Sequence, residues 1–207
     1  TDEVENAPTS WADIKDGDYT VALGDINGGN AQAAVIASAY AFGGDLNNLD
    51  PAFDFWTQMA EDGRINTLDI LQQNFETGEI PVGVIWSFTA IPYKDQITKY
   101  KLQANIPTDG SIMSGYASVI NKYAPHPCAA ALAREYIFSD EGQANLAAAG
   151  AIPTRTDVEI PDDIQNATFK SEDYANAIPM EDTDAYTKAC ETVVERWQEE
   201  ITPLLVQ

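Results

Sequence analysis

The chain has 207 residues, enough for one large domain or two small ones, and a hydrophobic content of 44% that argues against wholesale disorder. Eleven lysines and arginines stand against 33 aspartates and glutamates, a net charge of −22. Such a surface repels phosphate backbones and anionic bilayers, which argues against nucleic-acid and membrane-surface binding. No apolar run approaches the length of a bilayer span. The acidic start Thr1-Asp2-Glu3-Val4-Glu5 is not a signal peptide, so the numbering is expected to begin after processing or truncation.

Residues 1–10 are polar and read as a linker, followed by a short capped helix at Thr9-Ser10-Trp11-Ala12-Asp13-Ile14. Tyr19 to Leu23 is a short β-rich run. Asp25-Ile26-Asn27-Gly28-Gly29-Asn30 is a turn cluster that opens a helix from about Ala31 to Phe42, ended by Gly43-Gly44. A second helix is predicted from Asp50 to Glu61, with Phe53, Trp56, Met59 and Ala60 inward. A third runs from Thr67 to Thr77, with Leu68, Leu71 and Phe75 on one face. Pro81 to Trp86 is a buried-strand candidate leading through Ser87-Phe88-Thr89-Ala90-Ile91-Pro92-Tyr93 into a short helix. Lys101–Ala104 and Ile112–Ile120 read as further strands.

Prolines 125 and 127 break the chain before an Ala-rich amphipathic helix. Ser139-Asp140-Glu141 stops that helix and caps the next, which Gly150 and Pro153 close. An acidic, irregular stretch follows from Arg155 to Asp184. A strongly amphipathic helix from Ala185 to about Ile201 ends the chain, with Cys190, Val193, Val194, Trp197 and Ile201 along its stripe. Strands alternating with helices argue for an α/β sheet covered on both faces.

Two cysteines, Cys128 and Cys190, cannot define a disulfide framework, and Cys190 is expected to be buried as a small hydrophobe. The single histidine, His126, has no ligand neighbour. Neither a metal site nor a cofactor is expected. The same scarcity removes most Ser-His and acid–base designs, and there is no nucleophile elbow or zinc-protease motif.

Three constellations are candidates for binding. Asp25, Asn27, Gly28, Gly29 and Asn30 lie between a strand and a helix, the default ligand position in an open α/β sheet. Free N–H groups there can hold an anion. The same asparagines and glycines also serve as a plain cap and turn. Trp86, Ser87 and Thr89 leave the next strand, with Tyr93 just beyond. The hydroxyls suit an oxyanion and Trp86 suits a sugar or a cation, whereas Phe88 and Trp86 equally suit packing under the helix. Tyr116, in Ser114-Gly115-Tyr116, is a third candidate, with a core role as the alternative.

The passage from Ile106-Pro107-Thr108-Asp109-Gly110, through Ala124-Pro125-His126-Pro127 and Ser139-Asp140-Glu141-Gly142-Gln143, to Ile152-Pro153-Thr154-Arg155 resembles bacterial extracytoplasmic solute-binding proteins of ABC importers. Thr9-Ser10-Trp11-Ala12-Asp13-Ile14 is similar to the element at which such proteins cross from their first lobe into their second. The resemblance implies a type II periplasmic-binding-protein-like α/β fold, here a three-layer α/β lobe plus a helical segment that would return to a missing first lobe. It divides the chain into linker and crossover (1–14), second lobe (15–104), returning segment (105–150) and C-terminal tail and helix packing on the second lobe (151–207).

The resemblance further implies a non-catalytic, extracytoplasmic, lipoprotein-type receptor. Its partners would be a small-molecule solute and a membrane permease, and it would dimerise if the chain is a fragment. A phosphate-like or other anionic group, or a ferric complex, is the expected ligand feature, with the lone Tyr93 counting against iron. A polyamine is the alternative within the family. Outside it stand a carboxylate-dependent hydrolase and an extracellular interaction domain without a ligand.

Overall fold

The computed structural model describes residues 1–205. Its architecture begins with two distant segments laced together. Helix α1 (Trp11–Asp16) starts at Ser10, whose hydroxyl accepts from Asp13 N–H at 3.0 Å. Asp13 reaches back to accept from the Thr9 N–H and hydroxyl, both at 2.8 Å. This reciprocal arrangement satisfies N–H groups that a helix start leaves orphaned. The rest of the cap comes from almost one hundred residues away. The Asp109 carboxylate accepts from Trp11 N–H (2.9 Å) and Ala12 N–H (3.1 Å), and the buried Trp11 indole N–H donates to Gly110 C=O at 2.8 Å. Thr108 N–H donates to Thr9 C=O and the Asn105 amide to Pro8 C=O, each at 2.9 Å. At the other end of α1, the Arg64 guanidinium donates to the carbonyls of Ile14, Lys15 and Tyr19.

Three short strands form a parallel sheet, β1 (Val21–Ala22), β2 (Ile65–Asn66) and β3 (Val82–Gly83), in the order β2-β1-β3, with Val21 opposite both Ile65 and Val82. Side chains alternate across a strand, and the burial follows. Val21 and Leu23 enter a large cluster with α2 (Gly29–Ala41), α3 (Asp50–Glu61) and α9 (Thr183–Arg196). Ala22 faces the other way, onto Phe75 of α4 (Gln72–Thr77), Ile80 and Ile97. Helices therefore cover both faces of the sheet. On the second face, Gly83 leaves room for the Phe75 ring, which a Cβ would meet at 2.6 Å.

Helix α2 is buried on several sides because six of its residues are alanines and small side chains let its neighbours approach. Trp56 of α3 packs edge-on to Trp11 and Phe55 and tilted on Trp197, and its indole N–H donates to the buried Ser38 hydroxyl of α2 at 3.0 Å. Arg196 stacks over Phe53 at 4.0 Å while pairing with Asp50 and Glu200.

A smaller unit follows. Strand β4 (Ser111–Met113) pairs in parallel with β5 (Ala177–Pro179), and α6 (Pro127–Ile137) and α7 (Asp140–Ala148) form a helical hairpin. Its corner is tight. A Cβ on Gly142 would lie 2.0 Å from Tyr136 C=O, so no side chain fits there. Gln143, fully buried, donates to Ile137 C=O and accepts from the N–H groups of Thr154 and Arg155. Arg155 then grips Asp157 through two nitrogens and Asp140 through a third. Helix α6 itself buries nothing, and Leu132 is 72% exposed.

Several expectations need correction. The third helix begins only at Gln72, because the Asn66 side chain accepts from Leu68 N–H and the Asp69 backbone carbonyl accepts from Leu71 N–H, turns that hold residues 67–71 out of a helix. Leu68 and Leu71 are exposed, leaving Phe75 alone to face the core. Residues 101–104 form no strand but run beside the N-terminal segment, with Lys101 N–H on the Asp2 carboxylate. The strand expected over 112–120 ends at Met113. The acidic stretch from Arg155 to Asp184 is not wholly irregular but contains α8 (Asp162–Ala167), a 3-10 turn (Ser171–Tyr174) and β5. Cys190 is half-buried against Tyr186 rather than fully enclosed, and the two cysteines are unbridged.

Trp11→Phe is expected to cost about 1–3 kcal/mol by orphaning the Gly110 carbonyl. Gln143→Ala, which strands three backbone groups, is expected to cost at least as much. Urea midpoints should fall at unchanged m-value, and unchanged midpoints would contradict the lacing.

Candidate functional site

The loops that follow β1 and β3 leave the same, carboxyl edge of the sheet. Asn30, in the first turn of α2, makes the link. Its side-chain amide donates to Leu23 C=O at 3.1 Å and to Val84 C=O at 2.7 Å, closing the chain ends after both strands onto one side chain. With order β2-β1-β3, the chain leaves β1 toward one neighbour while β3 flanks its other side, and a crevice at that reversal is where open α/β sheets place ligands. Asp25, Asn27, Gly28, Gly29 and Asn30 follow β1 at this edge. Trp86, Ser87 and Thr89 follow β3 at the same edge, at the start of α5 (Ser87–Gln96).

Both helices begin without a side-chain cap, at Gly28 and at Trp86, and neither has an acidic residue in its first turn. Asp25 does not cap α2. Its carboxylate accepts from the N–H and the amide of Asn27, both at 2.9 Å, forming an Asx turn. Those bonds, the Asn27 backbone N–H first, hold the Asp25 carboxyl below the usual carboxylate range. The N–H groups of Gly29 and Asn30 on α2, and of Ser87 and Phe88 on α5, donate to no protein group among the described residues. The edge thus combines two positive helix ends, free N–H donors and the hydroxyls of Ser87 and Thr89.

The aromatic candidates separate. Trp86 and Phe88 lie nearly parallel, 6.4 Å apart and 11° between planes, and Tyr116 meets Phe88 edge-on at 5.9 Å. Because β4 ends at Met113, Tyr116 is 84% exposed in the chain beyond it, and a core role is ruled out. Tyr93 turns elsewhere. It packs on Phe75 at 6.0 Å and lines a cavity of about 150 Å³ with Ile14, Val84 and Leu102, beside the laced segments that include Pro8, Thr9 and Asn105. Tyr174, at the end of the 3-10 turn, packs its ring on Phe169 at 6.1 Å, and burial lifts its phenol above the ordinary range.

Among the described residues, no group of three or more His, Cys, Asp or Glu side chains is placed to hold a metal ion, and no helix is long and apolar enough to cross a membrane. His126 is exposed ahead of α6. Arg155 is taken up by its two aspartates.

The sequence pattern of the family described as bacterial extracellular solute-binding protein matches residues 1–178. The chain belongs to that family. A search of curated proteins returns no match. The family's description makes this an extracytoplasmic protein with a solute-binding role in import, a class that is generally non-enzymatic.

Asn30→Ala is expected to cost about 1–3 kcal/mol by stranding Leu23 and Val84 carbonyls, read as a lowered urea midpoint. In a carboxyl NMR titration, Asp25 should titrate below ordinary aspartate. Its folded pKa is depressed, so its contribution to stability is present above the unfolded value and is lost as pH falls through the folded one. An ordinary midpoint would contradict the Asx turn.

Proposed function

We propose that this chain is the substrate-binding component of an ABC importer, or one lobe of it, and that its solute is held through an oxyanion at the paired starts of α2 and α5. The observation that carries the reading is the Asn30 link, which sets two uncapped, acid-free helix starts side by side at one sheet edge. In a protein of net charge −22, five other α-helices carry acid in their first turn, whereas α4 and α6 are bare like α2 and α5 but are not joined in a pair. A bound anion would complete donors that these two leave free. Local donors outweigh a distant, screened net charge in deciding what binds.

Capture between two lobes fits the architecture. The segments 8–12 and 105–110, laced by Asp109 and Trp11, are the natural pivot, and ligand would favour a closed form by its differential affinity. The exposed apolar side of α6, with Leu132, Tyr136 and Ile137, supports its docking against a further lobe. That closed form would then engage a membrane permease.

A hydrolase reading finds less support. Carboxylate catalysis needs a pair whose pKa values are pushed apart. The carboxyls that are displaced, Asp13, Asp25 and Asp157, all move down and sit in caps, turns or ion pairs.

Thermal unfolding of the secreted protein with inorganic phosphate, phosphate monoesters, ferric citrate and spermidine tests the assignment. A phosphate-type ligand should stabilise by about 2.7 kcal/mol at one hundred times its Kd, without turnover. Ser87→Ala and Thr89→Ala should each weaken binding by roughly tenfold. Stabilisation by spermidine alone would replace the oxyanion with a polyamine, and turnover of the esters would overturn the receptor reading.

A further inference from the structure

We propose that Asp25 is a positioning residue that keeps Asn27 an amide, by restraining the two groups whose reaction would put a new carboxylate at the start of α2. The protection itself needs no ligand; only its consequence for a solute rests on the receptor reading.

Asn27-Gly28 is the sole Asn-Gly step in the sequence. Asparagine is among the thermolabile residues, and before glycine its side chain meets a backbone nitrogen that no side chain shields. The reaction consumes only water. The Gly28 nitrogen loses its proton and bonds to Asn27 Cγ, the bond from Cγ to the amide nitrogen breaks, and ammonia leaves with that proton, giving a cyclic succinimide. Water then attacks either ring carbonyl, the bond from that carbon to the Gly28 nitrogen breaks, the nitrogen regains a proton, and aspartate or isoaspartate remains. Asp25, Asn27 and Gly28 are all exposed, and a Cβ on Gly29 would meet nothing within 4 Å, so water reaches the step. Glycine stands at 28 for space. Its φ of −82° and ψ of 141° suit any residue, but a Cβ would lie 3.1 Å from the Asp25 carbonyl oxygen. The turn thus favours the residue that makes the step labile.

One residue restrains both reacting groups. The Gly28 N–H, whose proton must leave, donates to Asp25 C=O at 2.9 Å. The Asn27 amide nitrogen, the leaving group, donates to the Asp25 carboxylate at 2.9 Å. A third bond, from Asn27 N–H to the same carboxylate oxygen at 2.9 Å, fixes the backbone between them. Ring closure has to break the first two bonds, and bonds to an ionised acceptor are the stronger kind. A carboxylate formed at position 27 would stand one residue before the N-cap of α2, where the positive helix end draws it. There it would compete with a solute oxyanion for the free N–H groups of Gly29 and Asn30. Isoaspartate would in addition lengthen the main chain inside the turn. An acid at an edge suited to anions thereby has a reason to be there, since its charge is directed at Asn27.

The test is peptide mapping by mass spectrometry of the secreted protein aged in warm, mildly alkaline buffer, beside Asp25→Ala, Asp25→Asn and the double variant Asp25→Ala/Gly28→Ala. Asp25→Ala should convert Asn27 roughly tenfold faster than the wild type, read as the amide-to-acid mass gain and as isoaspartate. Asp25→Asn, which keeps an acceptor without the charge, should fall between the two. The double variant should convert no faster than the wild type. Melting temperatures show that each protein is folded while it ages, and where Asp25→Ala is not, Asp25→Asn carries the comparison. An equal or lower rate without the Asp25 carboxylate would overturn the protection. So would a double variant that converts as fast as Asp25→Ala, because the reaction would then not run through the Gly28 nitrogen. Isothermal titration with inorganic phosphate reads the consequence, and Asn27→Asp should bind roughly tenfold more weakly than the wild type. Unchanged affinity in Asn27→Asp would overturn that consequence, and no binding by the wild type would overturn the phosphate-type receptor reading. The mass readout decides the protection in either case.

Discussion

The indole N–H of Trp11 bonded to the Gly110 carbonyl, together with the Asp109 carboxylate on the first turn of α1, is the constraint from which the architecture follows. It binds two segments nearly one hundred residues apart, closing a loop whose entropy cost grows only slowly with length but falls mainly on the first long-range contact. Once closed, α1 has a fixed start, and Arg64 fixes its end against β1 and β2. The direction of β1 then sets where α2 begins, and Gly110 brings β4 alongside α2. A buried indole carries a large apolar area and one polar atom that must find a partner, so it specifies a position as well as stabilising it.

A tension between charge and site runs through the molecule. Carboxylates crowd the surface and occupy helix starts, where the positive end of the helix favours them. At the carboxyl edge of the small sheet neither helix start carries an acid, and glycine, asparagine, tryptophan and serine stand there instead. The one acid nearby, Asp25, is turned onto Asn27. An anion arriving there meets N–H dipoles at contact distance. The repulsion it must cross comes from charges farther off, screened over about 8 Å at physiological salt.

Much of the fold was legible because local chemistry and tertiary need agreed. Capping residues at Ser10 and Ser139, the stripe ending in Val193, Trp197 and Ile201, and the Asn27–Asn30 turn could all be read from spacing, whereas the Asp182 cap lay inside the stretch expected to be irregular. The strands were harder, because two-residue strands have no periodicity to display. Residues 67–71 misled because Leu68, Leu71 and Phe75 hold helical spacing while Asn66 and Asp69 hold the backbone away from a helix. The motif around Gln143 was visible as a pattern, yet its role, clipping the turn at Thr154 and Arg155 from inside, depends on a burial that no local signal announces. Of the candidate site, the two sheet-edge loops were readable as strand-to-helix turns, whereas the Asn30 link was not, since it joins the Leu23 and Val84 carbonyls only once the strands are paired.

The bare outer side of α6 bears on how the chain behaves as a colloid. Copies carrying a charge of −22 repel one another at low ionic strength, and that repulsion keeps greasy surfaces such as those of Leu132 and Tyr136 from meeting. Added electrolyte shortens the range of repulsion without weakening hydrophobic attraction. The molecule is thus most soluble where salt is scarce, and crowding in brine brings its uncovered helix into play.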